Sequence, residues 1–95
     1  MLSQTQTTTI VSTIIDHQRL IIGPLADQQA RKVAGITITD AGSVMVKTKD
    51  PTSILVDLVR SYEHLFGRAS VEACKDAVRE TQIPIPQDDL PEILR

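Results

Sequence analysis

The sequence is poor in the residues that give most small domains their bulk and their staples. It has no tryptophan, one tyrosine and one phenylalanine in 95 residues, so any core must be built from isoleucine, leucine, valine and alanine. A single cysteine, Cys74, excludes an internal disulfide and argues against a secreted disulfide scaffold, which makes a reducing, cytoplasmic setting the simplest expectation. No charge of one sign dominates: the formal net charge is −2 with acidic and basic residues interspersed, so there is no field to gather polyanions or acidic lipid. Apolar runs are too short to cross a bilayer, and no lysine or arginine precedes the first of them as in a signal peptide. The four glycines stand singly, which leaves no phosphate-cradling loop.

What is present is helical periodicity. Residues 1–7 carry no apolar period and read as a disordered tail. From Thr8 on, Ile10, Val11, Ile14, Ile15, Ile21, Ile22 and Leu25 recur at spacings of three and four, one face of a helix, although the threonines and other β-branched residues would also suit a strand. The same face returns in Ile54, Leu55, Leu58, Val59, Tyr62, Leu65 and Phe66, with Asp50 as cap, Pro51 at the first helical position and Gly67 as terminator. A shift of 44 residues lays one segment on the other, Ile10 on Ile54 through Gly23 on Gly67, and the match runs on through Ala30 on Cys74. The spacing therefore predicts two related helix-glycine-helix units, at roughly 8–34 and 51–81. Ser70 is expected to cap the helix after Gly67.

Between the units, residues 35–48 alternate apolar and polar around the turn signal Asp40-Ala41-Gly42. This predicts a β-hairpin that must lay Ile36, Ile38, Val44 and Val46 on the helices or pair with another chain. Residues 83–95 read as an extended strap, because Ile83-Pro84-Ile85-Pro86 forbids helix, followed by a short terminal helix capped by Asp88 or Asp89. The fold class expected is thus mainly α with a minor β part: a small helical bundle of residues 8–82 with a hairpin and a strap.

Chemistry is sparse. His17 and His64 read as solvated surface residues, Cys74 as a small buried hydrophobe, and no spacing matches a metal motif, so no metal or cofactor is expected. No set of nucleophile, base and orienting group exists, which points away from an enzyme. The expectation is a non-catalytic interaction or regulatory module, self-associating, whose candidate contact residues are Tyr62, Phe66, Ile83, Ile85, Leu90, Ile93 and Leu94. The alternative is a helix-turn-helix-like DNA-binding regulator at 53–82, disfavoured because its reading helix would present Glu72, Asp76 and Glu80 beside Lys75 and Arg79.

The stretch Leu20-Ile21-Ile22-Gly23-Pro24-Leu25-Ala26, with Gln29 to Ala34 behind it, resembles a helical segment found in C-terminal regions of some bacterial signalling proteins, serine/threonine kinases among them. That resemblance implies a small helical regulatory appendage. The hairpin between helices is also similar to roadblock-type dimerisation modules, which however continue into further strands where this chain continues into helix.

Overall fold

The computed structural model describes residues 2–81 and 85–95. Four helices carry the fold: α1 (Gln4–Ile22), α2 (Leu25–Arg31), α3 (Pro51–Phe66) and α4 (Arg68–Glu80). A two-stranded antiparallel hairpin of β1 (Ile36–Ile38) and β2 (Val44–Val46) lies between α2 and α3. The mainly helical fold class expected from the periodicity is the one observed.

Helix α1 begins earlier than its apolar stripe. In place of a disordered tail at 1–7, Ser3 closes a capping box: its hydroxyl accepts from the Gln6 amide at 3.0 Å while the Gln6 side chain accepts from the Ser3 amide at 2.9 Å. Leu2 and Thr7 are buried on either side of this cap. The threonines that favoured a strand are reconciled with the helix by bonding back along it, Thr7 Oγ1 to the Ser3 carbonyl and Thr13 Oγ1 to the Thr9 carbonyl, both at 2.8 Å. Helix α3 starts as its sequence predicts, with Asp50 accepting from the Ser53 amide at 3.1 Å and Pro51 in the first turn.

The buried residues of the two long helices fall in one register. Thr7, Ile10, Val11, Ile14, Ile15 and Gln18 in α1 correspond, 44 positions on, to Pro51, Ile54, Leu55, Leu58, Val59 and Tyr62 in α3. Both helices end on a glycine of nearly the same backbone shape, Gly23 at φ 61°, ψ −135° and Gly67 at φ 70°, ψ −155°. Each glycine amide closes the helix before it, onto the Arg19 carbonyl at 3.0 Å and the Glu63 carbonyl at 2.7 Å. Helix α4 starts at once after its corner, so Ser70 lies buried in the first turn and gives no side-chain cap, contrary to expectation.

The hairpin pairs Ile36 with Val46, Thr37 with Met45 and Ile38 with Val44. Ile36, Ile38 and Val46 are buried and Val44 half-buried, while Thr37 and Met45 face outward, which is the alternation its sequence predicts. Two of its outward carbonyls are taken within the chain: the Gln4 side-chain amide donates to Val46, and Arg31 Nη2 donates to Ile38 at 3.4 Å. Occupied edge carbonyls make strand addition less available than a bare two-stranded hairpin would.

After α4 the predicted terminal helix is replaced by two short 3-10 turns, Gln87–Asp89 and Glu92–Leu94, joined by extended backbone at Leu90 and Pro91. Neither turn has a side-chain cap. This strap packs on α4, and its Leu90 and Leu94 join the aliphatic core.

Candidate interaction surface

The apolar stripe of α1 outlasts the core it feeds. Gln18 is the last fully buried residue of the helix; Ile21, three residues on, is 63% exposed, and the intervening Leu20 is 88% exposed. The stripe of α3 behaves alike: after buried Tyr62, Leu65 and Phe66 are both about two-fifths exposed, at 44% and 41%. Each glycine corner turns the chain before these side chains can be covered. Ile21, Ile22, Phe66, Ala69 and Ser70 then line a common groove of about 280 Å³, which places the ends of α1 and α3 near each other. Leu25, first residue of α2, is also exposed beside the Gly23 corner.

A polar clamp stiffens one side of this corner. Arg19 donates from Nε to Asp27 at 2.7 Å, from Nη1 to Asp16 at 2.8 Å and from Nη2 to the Gly42 carbonyl at 3.0 Å. One guanidinium thereby joins the end of α1, the start of α2 and the hairpin turn. The hydrogen bond to Asp27 raises the Arg19 pKa further, against the opposing effect of burial.

Beneath the corner lies a small buried polar layer. Tyr62 Oη donates to the Ala26 carbonyl at 2.8 Å, and Gln18 Nε2 donates to the Ser70 carbonyl at 3.4 Å and towards Cys74 Sγ at 3.6 Å. Gln18 Oε1 is buried with no hydrogen-bond partner among the described residues. Burial pushes the Cys74 thiol up to about 11, and burial likewise pushes the Tyr62 phenol well above its ordinary value. A protonated thiol enclosed in this way is a packing group rather than a nucleophile.

The residues expected at the contact surface are dispersed. Tyr62, Leu90 and Leu94 are 0–2% exposed and belong to the core, because the strap folds onto its own chain and the tyrosine hydroxyl finds a carbonyl inside. Phe66 does line the corner groove. Ile93 borders a different groove with Arg60, Arg68, Val71 and Lys75, and Ile85 borders a third with Val78, Leu90 and Leu94. Ile83 lies outside the described residues. The sequence reading missed Leu20, Ile21, Leu25 and Leu65 as surface residues; the available signal was that each lies within three residues of a glycine corner, where a stripe runs out of core.

His64 is exposed as expected, but His17 is not simply solvated: its Nε2 lies 2.8 Å from the Glu80 carboxylate and ties α1 to the end of α4. Two of the three cations of α4 have acidic neighbours one turn back, Arg79 with Asp76 at 2.9 Å and Lys75 with Glu72 at 3.8 Å. Among the described residues no three His, Cys, Asp or Glu side chains gather as a metal site would require, and no helix is long and apolar enough to cross a membrane. No protein-family model matches the chain, and neither a curated protein nor a solved structure matches it significantly.

Proposed function

We propose that this chain is a non-catalytic interaction module that self-associates through the apolar end where its two glycine corners meet. One observation carries the reading: Leu20, Ile21, Leu25, Leu65 and Phe66, five of the six exposed large apolar side chains, all lie within three residues of the two glycine corners. Ile21 and Phe66 line one groove there, and exposed apolar surface gathered at one place on a chain this small marks a contact site. A second copy suits the patch because it brings the same aliphatic chemistry, and a net charge of −2 offers little repulsion between copies. The Arg19 clamp supports the reading further, since a pre-stiffened surface loses less freedom on docking.

The matched corners and the common register of buried residues support a duplicated unit, α1-Gly23-α2 and α3-Gly67-α4, whose equivalent ends together form the patch. The solitary buried thiol of Cys74 fits a reducing, cytoplasmic setting. On this proposal DNA is not the partner, because Lys75 and Arg79 of α4 already lie beside Glu72 and Asp76.

Light scattering over a concentration series tests the proposal. The wild-type mass should rise with concentration, and an Ile21→Glu/Leu65→Glu variant with unchanged helical circular dichroism should remain monomeric. A wild-type chain that stays monomeric at high concentration and retains no protein in a pull-down overturns it.

A further inference from the structure

The arginines of the chain divide by where they stand. Four of the six donate hydrogen bonds within it: Arg19 to Asp16, Asp27 and the Gly42 carbonyl, Arg31 to the Ile38 carbonyl, Arg79 to Asp76, and Arg95 to the Leu90 and Asp88 carbonyls. The other two, Arg60 and Arg68, have no side-chain hydrogen bond or ion pair among the described residues. Both line one groove of about 460 Å³, bounded by α3, the first half of α4 and the second turn of the strap. Lys75 is the third cation of that groove. Its side chain is only 18% exposed, yet its single ionic neighbour is Glu72 at 3.8 Å, and its ammonium donates no hydrogen bond among the described residues. A largely covered cation with three donors that no protein acceptor takes gains by meeting an anion. Arg68 is also the first residue of α4, whose first turn has no side-chain cap, so the positive end of that helix adds to the field.

The remaining lining narrows what the anion is. Glu63 and Glu92 also border the groove, and neither is ion-paired to a cation among the described residues. An extended polyanion would meet these carboxylates along its length, whereas a compact group with its charge on a few oxygens gains most from close cations, because Coulomb energy falls with distance. A carboxylate ligand would bring one charge to a groove that already holds two carboxylates. A phosphate monoester brings nearly two charges and three acceptor oxygens, one for each cation. Val71 and Ile93 add apolar wall for the carbon body that carries such a group. We infer that this groove binds a small organic phosphate monoester, its phosphoryl oxygens held by Arg60, Arg68 and Lys75 and its carbon body laid on Val71 and Ile93. The site shares no lining residue with the corner groove and does not depend on self-association.

Titration of the full chain with phenyl phosphate at pH 7.5, followed by amide NMR shifts, tests the assignment. Saturable shifts should centre on Arg68, Val71 and Lys75, and phenyl sulfate, alike in shape but singly charged, should bind at least about tenfold more weakly. Arg60→Gln and Arg68→Gln change exposed side chains and should keep the helical circular dichroism while each weakens phenyl phosphate at least about fivefold. Glu63→Gln, which removes a repelling carboxylate, should tighten binding at least about twofold. Lys47→Gln/Lys49→Gln removes two cations from a different groove and should change the affinity by less than about twofold. The assignment is overturned by the absence of saturable shifts up to about 10 mM phenyl phosphate, by equal affinity for phenyl sulfate, or by a loss in the lysine variant as large as in the arginine variants.

Discussion

Gln18 and Tyr62 lie 44 positions apart in the two long helices, and each donates a hydrogen bond to a carbonyl in the first turn of the helix that follows the other. Tyr62 reaches Ala26 and Gln18 reaches Ser70, acceptors that are themselves 44 positions apart like the donors. The contact is reciprocal, but the two sides are unequal in quality. Tyr62 fills its place and satisfies its only polar atom at 2.8 Å, whereas Gln18 makes long contacts and leaves Oε1 without a partner among the described residues. Both acceptor carbonyls lie inside helices. Tyr62→Phe should therefore destabilise by about 1 kcal/mol, the net value of one buried hydrogen bond. Gln18→Met removes an unsatisfied oxygen whose burial costs about 1–3 kcal/mol and should raise stability. Denaturant unfolding measures both; a destabilised Gln18→Met chain would show that Oε1 is satisfied in solution.

The glycine corners yield a prediction in which two numbers should agree. A Cβ placed on Gly23 or Gly67 meets nothing within 4 Å, so the only penalty is backbone strain at positive φ. Gly23→Ala and Gly67→Ala should each cost about 1–3 kcal/mol and should match within about 1 kcal/mol. Gly35 differs, since its Cβ would lie 2.6 Å from the carbonyl oxygen of Lys47, the residue whose amide donates to the Gly35 carbonyl at the end of the hairpin. Gly35→Ala should cost more than either corner. Thermal melts of the three variants give the ranking, and a Gly67 penalty several times that of Gly23 would remove the equivalence of the corners.

The helical architecture was legible because aliphatic spacing carries it: Ile10 to Ile15 and Ile54 to Val59 repeat at three and four, and glycines stop both stripes where the helices stop. Asp50 and Pro51 read correctly for the same local reason. The early start of α1 was hidden because its cue lies in polar side chains, Ser3 and Gln6, whose capping box leaves no trace in apolar periodicity. The contact surface was the least legible part. Tyr62 and Phe66 lie on one stripe of one helix, and only the turn at Gly67 decides that the first is enclosed and the second exposed. For Leu90 and Leu94, sequence shows that their own segment cannot bury them but not which surface does.

Asp50 should give α3 an acid-sensitive cap. Hydrogen bonds from the Ser53 amide and hydroxyl hold its carboxyl below the ordinary carboxylate range. A group whose pKa is lower folded than unfolded contributes stability that is present above the unfolded value, about 3.9, and is lost as pH falls through the folded value. Asp50→Asn keeps a capping side chain without the titration, so the difference in Tm between variant and wild type should shift in the variant's favour below about pH 4. An unchanged difference from pH 7 to pH 2 would show that the cap is not charged when it works.

At the alkaline side the sign reverses. Burial raises the Cys74 thiol to about 11 and raises the Tyr62 phenol as well, so both groups hold their protons more firmly folded than unfolded. The stability they contribute is fully present below the unfolded values, about 8.5 for a thiol and 10 for a phenol, and is lost as pH climbs through the folded ones. Tm should be flat from pH 6 to 8 and fall above roughly pH 9. Cys74→Ala, which restores the residue that its counterpart Ala30 already uses, should remove the earlier part of that fall. The same enclosure sets the chemistry of the thiol: an aromatic disulfide reagent at pH 8 should label native Cys74 only as fast as the core opens, with added denaturant accelerating it steeply. Immediate labelling of the native chain would mean that α4 does not close over the thiol, and the packing of α4 on α1 would have to be redrawn.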